Sequence, residues 1–224
     1  MNIARLANSL LLGFWWFFSP LPVIATTIFD NSVNSQQANL QTQSFELGDE
    51  IHLAGTARRL TNFSCGYILW TTDPQPDVTA RLRFYLNDAA DEFGYLTPGT
   101  VLYDSDWFAI APAHHGTLTL SVGSQLPAEG LFLPASDITW SIQFQGVTNG
   151  TAGVRIFSPP VVGSDTPYCW YNAGYGWFQT TPTHGESIDF LAVLEATEVP
   201  EPSPAVLLLC AALVSSLRVR RRRI

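Results

Sequence analysis

The chain has 224 residues, of which 46% are hydrophobic and 13% are charged, and its formal net charge is −8 with no lysine. Most of the basic residues lie near the two ends, so residues 26–198 hold five arginines against eighteen acidic side chains. A surface of that sign repels the phosphates of nucleic acids and anionic lipid headgroups, which disfavours nucleic-acid binding as a function.

The first 25 residues have the organisation of a signal peptide. Arg5 gives a positive start, an apolar run extends from Leu10 to Phe18, and Ser19-Pro20 interrupts it. Small or β-branched residues follow at Val23-Ile24-Ala25, so we predict cleavage after Ala25. The alternative is an uncleaved N-terminal anchor, although the apolar run is short of the ~20 residues of a membrane span. Both outcomes predict an exported chain.

Residues 26–198 alternate apolar and polar side chains with the period of half-buried strands. The clearest runs are Val78–Leu86 and Ile138–Phe144, and shorter ones are Glu50–Leu53, Thr117–Val122, Gly153–Phe157 and Ser187–Glu195. Proline and glycine separate the runs, and no long stretch keeps the repeat of an amphipathic helix. We therefore predict a single all-β domain, a jelly-roll-like β-sandwich. The segment Asn31–Gln43, rich in Asn, Gln and Ser, is expected to be a loosely ordered entry segment or a loop.

Two cysteines, Cys65 and Cys169, lie in this domain, and the third, Cys210, lies in the apolar tail. Export places the pair in an oxidising compartment, where a Cys65–Cys169 disulfide would close a loop of about a hundred residues. The alternative is two free, buried cysteines that pack as small apolar residues. Both interpretations stay open, because a sequence does not give the distance between two Cα atoms.

The segment Cys169–Phe178 contains five aromatic residues and two glycines. Exposed faces of Trp170, Tyr171, Tyr175 and Trp177 could stack on sugar rings, which makes them candidate glycan contacts. Trp and Tyr are also large core residues whose polar edge needs one partner, and packing in the core or in a loop is the favoured interpretation.

Acidic residues cluster in two predicted loops, Asn87–Glu92 and Tyr103–Asp106. Calcium binds about six to eight oxygens, so it is the one candidate cofactor for these loops. Their spacing is not that of an EF-hand, and we predict no bound cofactor. The adjacent His114 and His115 would point to opposite faces of a strand, or form a solvated pair in a loop, and so predict no metal site. We predict no catalytic residues, since the chain has no nucleophile elbow, phosphate loop or Cys-x-x-Cys motif.

Residues 199–224 form a tail with three parts. The motif Val199-Pro200-Glu201-Pro202 comes first, the apolar run Ala205–Leu217 follows, and the basic end contains Arg218, Arg220, Arg221, Arg222 and Arg223. As a helix the run would reach about 20 Å, short of the ~30 Å hydrocarbon core, so it suits transient insertion into the inner membrane. The arginines stay on the cytoplasmic side, and the prolines keep Glu201 extended and accessible to an enzyme. A plain C-terminal anchor helix is the alternative.

This tail closely resembles the PEP-CTERM sorting signal of Gram-negative bacteria that make exopolysaccharide. The resemblance implies that an exosortase in the inner membrane processes the tail, while a signal peptidase removes residues 1–25. The pieces Gly48–Thr56, Arg83–Asp88, Pro98–Tyr103 and Gly174–Trp177 also resemble an exported β-sandwich domain without an established activity that often precedes such tails.

The two resemblances predict a non-catalytic protein of the cell surface, cell envelope or extracellular matrix that is associated with exopolysaccharide or biofilm. The alternative function is a carbohydrate-binding module or a glycan-active enzyme built on the same sandwich.

Overall fold

The computed structural model describes residues 24–42, 45–71, 77–180 and 187–199, and this part of the chain contains strands but no helix. The strands are β1 Thr26–Asp30, β2 Ser35–Thr42, β3 Glu46–His52, β4 Arg59–Thr71, β5 Thr79–Leu86, β6 Ala89–Ala90, β7 Leu96–Thr97, β8 Val101–Asp104, β9 Phe108–Ala109, β10 His115–Ser121, β11 Leu131–Phe132, β12 Asp137–Gln145, β13 Gly150–Phe157, β14 Ser164–Asn172, β15 Trp177–Thr180 and β16 Ala192–Thr197. All the pairings among them are antiparallel, and most strands belong to two seven-stranded sheets. The prediction of an all-β domain is therefore confirmed.

The first sheet is built around β4, a strand of 13 residues. Strands β16 and β10 pair with overlapping parts of β4, so they lie along its two opposite edges. Strand β13 continues the edge that β16 occupies, and β2 pairs with β13 to complete the order β1-β16-β4-β13-β2. Strand β1 pairs with β16, with Thr26 opposite Ala196, so the first and last strands are neighbours.

The second sheet has the order β15-β14-β3-β12-β5-β8, and the core lies between it and the first sheet. Phe63 on β4 packs edge-on against Phe84 on β5 and Trp140 on β12, with 5.1 Å between the ring centroids in both cases. All three side chains are fully buried. Alternate residues of β5 and β12 point into this core, as the alternation in the sequence predicts. The two sheets therefore form a β-sandwich-like fold.

The segment Asn31–Gln43 differs from its prediction as a loose entry segment or loop, because Ser35–Thr42 forms strand β2. This strand lies at the edge of the first sheet, and most of its side chains are exposed on both faces. A strand with two exposed faces has no apolar alternation, so its sequence resembles that of a loop.

Cys65 and Cys169 are free thiols in the structure, and both are buried. Cys65 lies on β4 in the first sheet, whereas Cys169 lies on β14 in the second. Facing sheets are about 10 Å apart, and a disulfide needs Cα atoms within about 7 Å. Of the two open interpretations, the structure has the second, in which two free cysteines pack as apolar side chains.

The predicted targeting segments lie almost wholly outside the described residues. This applies to residues 1–23, to Pro200, Glu201 and Pro202 of the sorting motif, and to the arginine-rich end. Val199 is the one residue of that motif within the described range. Across the described residues, no helix has the length and apolar character needed to cross a membrane.

Candidate functional site

Strands β14 and β15 form a hairpin that carries a group of contacting aromatic rings. Tyr171 stacks on Phe178, its partner across the hairpin, with centroids 5.6 Å apart and planes at 29°. The ring centroid of Phe45 lies 6.1 Å from that of Tyr171, and the ring centroid of Tyr175 lies 5.7 Å from that of Phe178. Phe45, Tyr175 and Phe178 are 42%, 78% and 42% exposed. We call these four residues the aromatic patch, which includes Tyr171 and Tyr175 of the predicted glycan contacts.

The other two predicted contacts, Trp170 and Trp177, are used in packing on the outer face of the second sheet. Trp170 is 2% exposed and donates its indole N–H to Oε2 of Glu50 at 3.1 Å. The indole of Trp177 lies over Gly48, where an added Cβ would come within 3.1 Å of the ring. Trp177 also packs edge-on against Tyr85, with 5.3 Å between centroids. Trp170 therefore offers no free ring face to a sugar, and Gly48 leaves the space that Trp177 occupies.

Beside Trp177, the outer face of the second sheet holds a buried polar network centred on Glu46. Glu46 is 4% exposed, and its carboxylate accepts hydrogen bonds from Tyr85 Oη at 2.8 Å, Ser141 Oγ at 2.5 Å and Arg83 Nη1 at 2.6 Å. Arg83 also donates from Nε to Asp104 at 2.9 Å. Burial, together with the charge of Glu46, raises the pKa of Tyr85 above its usual value, so this hydroxyl remains a donor. The network is fully paired.

Three acidic residues of the two loops considered for calcium, Asp88, Asp91 and Asp104, are hydrogen-bonded within the chain. Asp104 accepts hydrogen bonds from Arg81, which lower the pKa of Asp104 to about 2. Asp88 accepts from the backbone N–H and the hydroxyl of Thr100, at 2.6 Å in both cases. Asp91 accepts two backbone N–H groups of its own turn. Within the described residues, no group of three or more His, Cys, Asp or Glu side chains is arranged to hold a metal ion.

The histidine pair lies across the start of β10. His114 precedes the strand and His115 begins it, so the two rings lie side by side, with centroids 4.5 Å apart. The opposite faces expected of two neighbouring strand residues do not apply, because the alternation of a strand does not extend to His114. Both residues are exposed, as the second interpretation predicts. His114 Nδ1 lies 2.8 Å from the carbonyl oxygen of Leu69.

An acidic cleft of about 300 Å³ opens near the end of β3, where it is lined mainly by Glu50, His52, Asp137 and Asp165. His52 and Asp137 lie opposite each other on β3 and β12 and contact through Nδ1 and Oδ1 at 2.8 Å. Burial raises the pKa of Glu50, and the hydrogen bond from the Trp170 indole partly opposes this rise. Sequence analysis did not identify this cleft, because its residues come from three strands that are distant in the chain.

Comparisons with protein-family models, with curated proteins and with solved structures found no match for this chain.

Proposed function

We propose that this chain is a non-catalytic, exported protein of the cell surface or extracellular matrix, sorted through its C-terminal tail and associated with exopolysaccharide. The observation that carries this proposal is the extent of the fold. Strand β1 begins at Thr26, directly after the predicted cleavage site, and pairs with β16, which ends at Thr197. Signal peptidase and an exosortase can therefore act before Thr26 and after Val199 without removing any strand of the described residues.

The pairing of the strands supports the finer fold that accompanies this proposal. Strands β1 and β16, β3 and β14, β4 and β13, and β5 and β12 pair in a nested series. A ribbon of nested pairs wrapped into two sheets is typical of jelly-roll-like sandwiches. Thr26 and Ala196 lie opposite each other on β1 and β16, so the two ends of the described domain are side by side. The body can then lie outside the inner membrane of a Gram-negative cell while the tail is transiently inserted.

The test of sorting is the intact mass of the native protein, with peptide mapping of both ends, from strains with and without the exosortase. We expect a chain that begins near Thr26 and ends near Pro200-Glu201-Pro202, and the second end should depend on the exosortase. A protein that keeps residues 205–224 in both strains would show that the tail is an ordinary anchor, and the sorting proposal would fail.

A second candidate, glycan binding, is favoured by the aromatic patch. Exposed aromatic side chains that contact one another are typical of interaction sites, and flat aromatic faces suit the stacking of sugar rings. We propose that Tyr175 and Phe178 form the accessible centre of the contact, because they are 78% and 42% exposed.

The test is retention of the full chain on immobilised exopolysaccharide from the host. Tyr175→Ala and Phe178→Ala should each reduce retention, whereas Phe93→Ala should not, because Phe93 is 76% exposed but lies on the β6–β7 turn. Equal retention of all variants would remove the patch as the contact. Turnover of the polysaccharide by the purified chain would replace the non-catalytic proposal by a glycan-active enzyme.

A further inference from the structure

Three aspartates from distant parts of the chain interact within the sandwich. Asp49 on β3 and Asp189, which precedes β16, are both 0% exposed. Asp165 on β14 lies opposite Ile51 of β3 and reaches the acidic cleft. Besides burial, the charge of Asp189 acts on Asp165 and raises its pKa. Two neighbouring carboxyl groups favour a proton on one of them, because two like charges at close range repel each other.

Each of the three carboxyl groups has one buried oxygen without a donor among the described residues. These oxygens are Oδ1 of Asp49, Oδ2 of Asp165 and Oδ2 of Asp189. The remaining oxygens of the two innermost groups are bonded, since Asp49 accepts the N–H of Phe190 at 2.9 Å and Asp189 accepts the hydroxyl of Ser187 at 3.2 Å. A buried carboxylate oxygen that lacks a donor is costly, and protonation removes that cost.

The charged neighbours of the cluster are also acidic. Burial is the largest cause that raises the pKa of Asp49, and the charges of Asp189, Asp165 and Glu50 raise this pKa further. On β14, burial and then the charge of Asp49 raise the pKa of Cys169 to about 12, so this thiol is neutral. Within the described residues, no arginine or histidine acts on the three carboxyl groups by charge. No metal-holding group of side chains occurs there either.

We propose that Asp49, Asp165 and Asp189 form a proton-binding site that makes the sandwich most stable in acidic surroundings and weakens it as the medium becomes alkaline. Asp165 connects the site to solvent, because it lines the acidic cleft while its two partners are enclosed. This proposal rests on the folded body alone and does not depend on the sorting or glycan proposals.

The direction in which stability changes with pH follows from the direction of the pKa shifts. Burial and the charge of Asp189 raise the pKa of Asp165 from its ordinary 3.8 to about 8. Below the ordinary value the carboxyl is protonated in both the folded and the unfolded chain, so its stabilising contribution is fully present. Between the two values the unfolded chain releases the proton and the folded chain keeps it, so stability falls as the pH rises. Each retained proton raises the unfolding equilibrium constant up to about tenfold per pH unit.

The experiment is urea unfolding of the purified full chain in a non-ionic detergent between pH 4 and pH 9, followed by tryptophan fluorescence. We expect the unfolding constant of the wild type to rise with pH up to about pH 8. Asp165→Asn and Asp189→Asn should each reduce that slope by up to one proton. Asp106→Asn makes the same change at an exposed site and should leave the slope unaltered. A wild-type stability that is constant or increases from pH 5 to pH 8 would overturn the proposal without reference to any variant.

A second arm separates protons from a cation. The same unfolding curves are measured at pH 8 with calcium chloride and with a chelator. Identical curves support the proton site. Stabilisation by calcium that Asp165→Asn abolishes would overturn it in favour of a cation site at the same carboxyl groups.

Discussion

Replacement of Arg83 by methionine tests the outer-face network most directly. Without Arg83, Glu46 loses its charged partner, whereas without Glu46, Arg83 still has Asp104. The side chain of Glu46 is 6% exposed and that of Arg83 is 13% exposed, and they bond at 2.6 Å. Arg83→Met leaves the Glu46 carboxylate buried with only two hydroxyl donors, and removal of one partner of a buried ion pair costs about 3–5 kcal/mol. Glu46→Gln leaves Arg83 paired with Asp104, so the loss is that of one charged hydrogen bond, about 1.5–3 kcal/mol.

The expected difference between the two variants is therefore about 2 kcal/mol, or roughly thirty-fold in the unfolding equilibrium constant. The measurement is urea unfolding of both variants at pH 6 in the same detergent. Arg59→Met is the control, because Arg59 donates to a backbone carbonyl at 3.0 Å and its removal strands no acid. It should cost less than about 1 kcal/mol. If Arg83→Met costs no more than Glu46→Gln, the view of Glu46 as the dependent partner is wrong.

Three further outcomes follow from single features of the fold. The pKa of Asp104 is held at about 2 by its arginine partners, so its stabilisation is present above the ordinary 3.8 and is lost as the pH falls through 2; Asp104→Asn should flatten the acid limb of the stability curve between those values. Phe63→Ala should cost about 3–5 kcal/mol in urea unfolding, because it empties the contact between the sheets, whereas Phe93→Ala on the surface should change stability by less than about 0.5 kcal/mol. Cys65 and Cys169 should resist a thiol reagent in the folded chain and react after unfolding without reductant; failure to react after unfolding would indicate a disulfide.

The strands that the sequence predicts best are those with one buried face. In β12 the inward residues Ile138, Trp140 and Ile142 are all 0% exposed, and the alternation is plain from the letters. Strand β4 was not predicted, although it is central, because Cys65–Leu69 is buried without interruption. There Gly66 lies beneath the side chain of Leu191, which covers the outer face. A strand that is covered on both faces has no period of two.

The acidic site is hidden from the sequence for a different reason. In Leu47-Gly48-Asp49-Glu50-Ile51, glycine followed by two acids is a combination that is depleted from strands and typical of turns. The structure instead continues β3 through this segment, so Asp49 shares its inward face with Leu47 and Ile51. Its partner Asp189 follows about 140 residues later in the chain. The N–H of the next residue, Phe190, donates to Asp49, so the fold brings these distant segments together.

Residues 26–198 hold far fewer arginines than acids, and the structure shows which partners the five arginines have. Arg81 and Arg83 form ion pairs with Asp104 and Glu46 on the outer face. Arg58 and Arg59 donate to backbone carbonyl oxygens, and Arg155 lies over an aromatic ring. None of the five pairs with Asp49, Asp165 or Asp189, and the chain has no lysine to take their place. Protons must then do at this aspartate site what arginine does on the outer face, since a buried carboxylate without a partner is too costly to keep. The same shortage of cations explains why the outer-face network should fail when one arginine is removed, and why the sandwich should weaken when the aspartate site loses its protons.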